Sequence, residues 1–148
     1  MKTLKNIITL FGPLVCGIIV GLLINTDTYQ IINKPPFSPP GIVFPIVWSI
    51  LYILMGISLY AIIKDKCNKK SINLFLAQLL INLIWPFLFF NFELYYFSAL
   101  WILILIYYVY LMTRNFLSIK KIAGYLQFPY LIWLIFALYL NLGVAFLN

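Results

Sequence analysis

Residues 33–41 read NKPPFSPPG. Four prolines fall within the six positions from Pro35 to Pro40, behind Lys34 and ahead of Gly41. No regular helix survives that density, because proline has no N–H and its ring crowds the residue before it. Yet both flanks are long apolar runs, Leu4–Asn25 on one side and Ile42–Ile63 on the other. A helix crosses a bilayer with about 20 mostly apolar residues, and each flank meets that length. The stretch reads as a stiff connector between two membrane-spanning helices.

Working outward, three more runs qualify: Ser71–Phe90, Leu94–Met112 and Ile122–Leu147. The expectation is one all-α integral membrane domain over residues 1–148, a bundle of five spans. Composition agrees: 65% of residues are hydrophobic, 9% are charged and the mean hydropathy is +1.06. A soluble domain of this size lacks the polar surface to cover that much apolar material. The first run has Lys2 and Lys5 ahead of it, as a signal peptide would. Its apolar core is longer than an h-region of roughly 7–15 residues, and no small-residue cleavage site follows.

The net charge of +7 reflects topology. With five spans, Lys2, Lys5, Lys64, Lys66, Lys69, Lys70, Arg114, Lys120 and Lys121 share one side, and Lys34 stands alone on the other. That asymmetry predicts a cytoplasmic N-terminus and an external C-terminus, and leaves nucleic acid without support as a partner. There is no histidine, which removes the usual general base and a histidine ligand to haem iron. Cys16 and Cys67 form no CxxC pair, so neither a zinc site nor a disulfide framework is indicated, and no metal is expected.

Prolines at 45, 86 and 129 lie within spans. Pro45 falls in a first turn, where a missing N–H costs little, whereas Pro86 and Pro129 are read as bends. The small-residue pattern Gly17–Gly21 permits close helix contact, within the bundle or between copies.

Three faces combine polar and aromatic residues. In the third span Gln78, Asn82, Trp85 and Phe89 fall within about 60° of one another. Amides facing lipid are expensive, so this stripe either ties helices together by hydrogen bonds or lines a ligand cavity. The second span offers Trp48, Tyr52, Met55 and Leu59, and the fifth Tyr130, Trp133, Ala137 and Asn141. Together they describe a slot for something large, flat and mostly apolar, with room beside Ala137. The connector would then cover the slot from outside, its backbone fixed in advance by proline. Phe37 would offer a ring and Lys34 a cation for a carboxylate. Alternatively it is a plain spacer, with Lys34 snorkelling to lipid phosphate.

The blocks KPPFSPPG, WSILYILMG, NLIWPFLFF and PYLIWLIFALYLN, in this order, resemble the translocator protein family, TspO/MBR, also called peripheral benzodiazepine receptors. The resemblance touches the first loop and the second, third and fifth spans. It implies a five-helix bundle whose cavity is closed by the first loop. It also implies binding of protoporphyrin IX, haem and synthetic isoquinoline carboxamide or benzodiazepine ligands, with no obligatory cofactor and commonly as a homodimer. Carried over by motif, Trp48 and Trp133 would be the pocket tryptophans, with Asn82 and Trp85 on the third span and Ala137 and Asn141 on the fifth. Tyr29 matches the aromatic position before the loop, and Pro39 belongs to the loop itself. This chain has Phe37 where many members carry tryptophan. The sterol-recognition Tyr and Arg of animal members are missing after Asn141; only a loose pattern of Leu105, Tyr110 and Arg114 occurs. Abundant Ile, Asn, Lys, Tyr and Phe suggest AT-rich codons, which fits a bacterial source and so a bacterial cell membrane as the expected location.

The leading function is a membrane receptor, sensor or carrier for tetrapyrroles. A second is light-dependent oxidative breakdown of protoporphyrin, implicating Trp48 and Trp133. The residues supply no acid–base pair, so that chemistry would come from the bound porphyrin and oxygen. A third, lipid or sterol transport, lacks the inverted repeats common in transporters.

Overall fold

The computed structural model describes residues 2–65 and 67–148. Lys66, one of the bases counted above, lies outside the described residues. Helix α1 spans Lys2–Leu23 and is followed by a single-turn helix α2, Thr28–Ile31. Helices α3 (Val43–Lys64) and α4 (Lys69–Pro86) come next, and a π-helical turn, Phe87–Asn91, extends α4. Helix α5 runs Tyr95–Ile119, short α6 Lys121–Tyr125 and α7 Phe128–Leu147. Five segments are long and apolar enough to cross a membrane: Thr3–Leu23, Val43–Lys64, Lys69–Asn91, Tyr95–Ile119 and Lys121–Leu147. The protein is an integral membrane helical bundle.

Several boundaries differ from the hydropathy pattern, each for a local reason. The fourth span's helix continues past Met112 to Ile119, because Phe116 is fully buried in the core and anchors the extra turns. Arg114 therefore sits on a helix, its guanidinium 5.9 Å from the Tyr110 ring centroid. The fifth span is two helices. Gly124, at the end of α6, lies so close to Leu117 that a Cβ would overlap it, and Leu126–Gln127 separate α6 from α7. Pro129 consequently stands in the first turn of α7 and bends nothing. Pro86 does disturb its helix: the following turn widens, and the Phe92 N–H reaches the Phe87 carbonyl at 2.9 Å. A further in-span proline, Pro13, lies inside α1.

Lipid tails are as apolar as leucine, so close packing and buried hydrogen bonds hold such a bundle together. One core cluster centres on Tyr52, Met55 and Ile62 of α3, with Phe75, Val109 and Leu134 from the other helices. A second, nearer the proline loop, gathers Tyr29, Trp85, Phe89, Phe90 and Ala137. Helix α1 adds no buried member to either, touches the first through Leu14 and leans on α3. Gly56 receives the Leu10 carbonyl and Gly17 the Tyr52 ring, each so closely that a Cβ would overlap it. Beyond Gly17 the two helices part; a Cβ at Gly21 would meet nothing.

Candidate functional site

A buried polar chain crosses the bundle at mid-height. The Tyr52 hydroxyl donates to Asn82 Oδ1 at 2.6 Å, and Asn82 Nδ2 donates to the Tyr130 hydroxyl at 2.6 Å. The Tyr130 hydroxyl in turn donates to Gln78 Oε1 at 3.0 Å, and Gln78 Nε2 lies 3.9 Å from Met55 Sδ. These four side chains are all nearly inaccessible. The spacing of Gln78 and Asn82 places both amides on the bundle side of α4, where α3 and α7 each supply a phenol. Nearer the loop, Trp85 Nε1 donates to Asn141 Oδ1 at 3.0 Å; Asn141 also accepts from Ser98 Oγ at 2.9 Å and donates to the Tyr95 carbonyl at 2.7 Å. Trp85 is thereby fixed in orientation.

Where α1 and α3 part, a cavity of about 610 Å³ opens. One wall is aromatic: Phe44, Trp48 and Tyr52 from α3, and Trp85 from α4 with Asn82 beneath it. The facing wall is α1, through Gly17, Val20 and Gly21, continued by Ile24 just past the end of the helix. Thr26, Asp27, Tyr29 and Gln30 from one leg of the connecting segment, and Gly41 and Ile42 from the other, border the loop end. Trp48 is the hub, its ring centroid 5.7 Å from Tyr52, 6.5 Å from Trp85 and 6.1 Å from Tyr130. The planes of Trp48 and Trp85 are inclined to each other by 34°, so the wall offers two tilted indole rings. Asn82 Nδ2 carries a second N–H beyond its bond to Tyr130, on a residue that borders the cavity but is only 1% exposed.

The site residues named from sequence divide. Tyr29, Trp48, Tyr52, Asn82 and Trp85 line this cavity. Gln78 and Tyr130 are sealed in the polar chain behind it. Phe89, Ala137 and Asn141 border a separate void of about 20 Å³, room for about one water molecule. Trp133 lines neither space; it packs on Phe44 and Phe136 at 6.0 and 5.5 Å, with its Nε1 buried and unpartnered. The slot anticipated between the second, third and fifth spans is thus displaced to the first, second and third. Phe44 and Trp85 stand between the cavity and α7.

The loop residues also part company. Lys34 Nζ donates to the Tyr29 carbonyl at 2.7 Å and the Ile32 carbonyl at 3.4 Å, and lies 4.8 Å from the Tyr29 ring centroid. Its charge serves the loop's own fold. Phe37 has φ 63° and is 89% exposed, away from the cavity. The Pro39 carbonyl accepts from the Tyr29 hydroxyl at 2.7 Å, holding that ring at the cavity border. Burial raises the Tyr29 phenol above its ordinary pKa, so it remains a neutral donor.

The wall from α1, with Phe44, Thr26, Asp27 and Gln30, was not singled out by sequence. Phe44 lies four residues before Trp48, on the same face, and that spacing was the available signal. From Leu10 to Leu23 helix α1 is apolar on every side, so only its paired glycines distinguish the face turned inward.

Residues 9–147 match the TspO/MBR family. The chain is similar to the tryptophan-rich protein TspO of Chlorobaculum tepidum, 34% identical over 97% of this chain and 98% of that protein. It is 30% identical to the tryptophan-rich sensory protein of Cereibacter sphaeroides, over 86% of this chain and 82% of that one. It is likewise 30% identical to the translocator protein of Ovis aries, over 76% and 70%. The match runs through all five spans and through the loop that joins the first two, and the chain belongs to the TspO/MBR family.

Proposed function

We propose that this protein is a membrane receptor, sensor or carrier that holds a flat, mostly apolar ligand against Trp48 and Trp85. Tetrapyrroles such as protoporphyrin IX or haem are the first class, and drug-sized aromatics of the isoquinoline carboxamide or benzodiazepine type the second. The cavity carries the reading: about 610 Å³ lies within the roughly 300–1,000 Å³ of small-molecule sites, and one side is lined by aromatic rings. The names of the relatives, a sensory protein and a translocator protein, support the same class of role. The distribution of bases supports a cytoplasmic N-terminus, and the bacterial relatives support a bacterial cell membrane.

Spectral titration of the purified protein with protoporphyrin IX and haem tests this. Gly21→Leu adds a side chain where a Cβ meets open space, so it should fill the cavity without disturbing the bundle. Loss of about tenfold or more in affinity corresponds to about 1.4 kcal/mol. A folded Gly21→Leu protein that binds as the wild type does would overturn the assignment. The photo-oxidative reading favours Trp48, which lines the cavity, over Trp133, which does not. In the same titration under light, it requires a new absorbing product that Trp48→Phe abolishes.

A further inference from the structure

One flank of the cavity opens toward lipid. Ile18, Gly21 and Leu22 of α1, and Ile42, Pro45 and Ser49 where α3 begins, all line it. Yet Ile18, Leu22 and Ile42 are 51%, 81% and 67% exposed, and Gly21 and Pro45 are exposed with them. Residues that line a cavity and also face outward mark a gap in its wall. The gap follows the seam between α1 and α3 beyond Gly17, where the helices part. Ser49 lies about 9 Å along the helix from Val43 at 1.5 Å per residue, so the slit reaches from the helix ends into the hydrocarbon. Its rim suits that medium: apart from Ser49 these residues are apolar, and the Ser49 hydroxyl donates to the Pro45 carbonyl at 2.7 Å.

The other borders are fastened. Asn91 Oδ1 accepts from the Asn25 N–H at 2.8 Å, and the Phe90 carbonyl accepts from Thr28 Oγ1 at 3.0 Å. These bonds tie the segment after α1 to the π-helical turn. The Tyr29 hydroxyl and the Lys34 ammonium hold the loop in turn. Displacing the connecting segment breaks several of these bonds. Among the described residues no hydrogen bond joins α1 to α3, so widening their seam loses only apolar contacts, which lipid or ligand replaces. We propose that this seam is a portal through which flat apolar ligands, already dissolved in the bilayer, slide edge-on onto Trp48 and Trp85. The inference rests on the cavity being the ligand site and narrows its ligands to molecules that partition into the leaflet on the loop side. Polar substituents on the trailing edge stay near the headgroups, at the level of Thr26 and Gln30. The strap of loop residues bears on how firmly a ligand is held, and the seam on how it arrives and leaves.

A portal alters rates and leaves affinity alone, because its barrier is crossed in both directions. Ile18→Trp with Ile42→Trp crowds the rim from exposed positions, whereas Ile19→Trp puts the same bulk on an exposed position of α1 off the cavity wall. Each protein is studied as the full chain in phosphatidylcholine nanodiscs. Binding and release of protoporphyrin IX are followed by stopped flow through its Soret band, beside an equilibrium titration. The double variant should bind and release the porphyrin about tenfold more slowly at unchanged affinity, a barrier higher by about 1.4 kcal/mol, and Ile19→Trp should match the wild type. Gly21→Leu, which fills the cavity, should instead lose affinity. If Gly21→Leu loses affinity while the double variant keeps wild-type rates, changes release alone or is matched by Ile19→Trp, the portal is wrong and the cavity assignment stands. If a folded Gly21→Leu protein binds as the wild type does, the cavity assignment falls and this inference with it.

Discussion

At position 56 a single methyl group decides whether the first two long helices can meet. The Leu10 carbonyl rests where a Gly56 side chain would begin, and a backbone carbonyl cannot swing aside. Gly17 faces the Tyr52 ring, which is itself held by Asn82. Gly21, one turn further, faces nothing. Gly56→Ala should therefore separate α1 from α3 at a cost of about 1–3 kcal/mol, the usual scale of overpacking. Gly21→Ala should be nearly silent. Thermal unfolding in detergent, followed by circular dichroism, compares the two; equal midpoints would refute the close approach at Gly56. The need for partners at Gln78 and Asn82 was legible in sequence, because two amides on one face of a spanning helix have few alternatives. The partner on α7 was legible only as one of several polar residues. Choosing Tyr130 depends on how α7 is rotated after the break at Leu126–Gln127, and periodicity does not record that rotation.

Among the elements, the proline loop is the one whose placement changes its meaning. It is bound to the end of α7. Tyr139 donates to the Pro36 carbonyl at 2.8 Å, Asn148 Nδ2 to the Asn33 carbonyl at 2.9 Å, and Pro35 sits where a side chain at Gly143 would go. Only its legs, through residues such as Gln30 and Gly41, border the cavity. The loop is thus a strap whose position is set from α7 and transmitted to Tyr29 through Pro39. Gly143→Ala should push Pro35 off its seat while leaving the helices intact. If part of a cost of about 1–3 kcal/mol falls on the bound state, the ligand should leave faster, by about tenfold for each 1.4 kcal/mol. Stopped-flow release of a bound porphyrin, with helicity checked in parallel, measures it. An unchanged off-rate would make the strap a spacer. Stiffness was legible from the prolines alone, but the anchor was not. Gly143 and Asn148 are more than a hundred residues away, and nothing local marks them as partners of the loop.

For the whole molecule, the five apolar runs were legible because a bilayer imposes a length that few other environments require. The cavity was displaced because hydropathy treats α1 as featureless, whereas its position is set by contacts at Gly17 and Gly56. Orientation is the remaining global property, and the two cysteines test it without engineering. Cys67 is exposed in the segment between α3 and α4, close to Lys64, Lys69 and Lys70; Cys16 is half-buried within α1. Positive charge is retained on the cytoplasmic side, so an impermeant maleimide should leave Cys67 unlabelled in intact cells and label it once the membrane is opened. Although Cys67 is exposed, slight desolvation by the neighbouring chain raises its thiol above the ordinary pKa, so the thiolate fraction at neutral pH is reduced. Labelling after permeabilisation should therefore accelerate as pH rises toward that raised value, and Cys67→Ser should abolish it. Cys16, inside the hydrocarbon, should stay silent throughout. Rapid labelling of Cys67 from outside intact cells would invert the topology. It would also move Asp27 and the cavity mouth to the cytoplasmic face, so that ligands would have to arrive from within the cell.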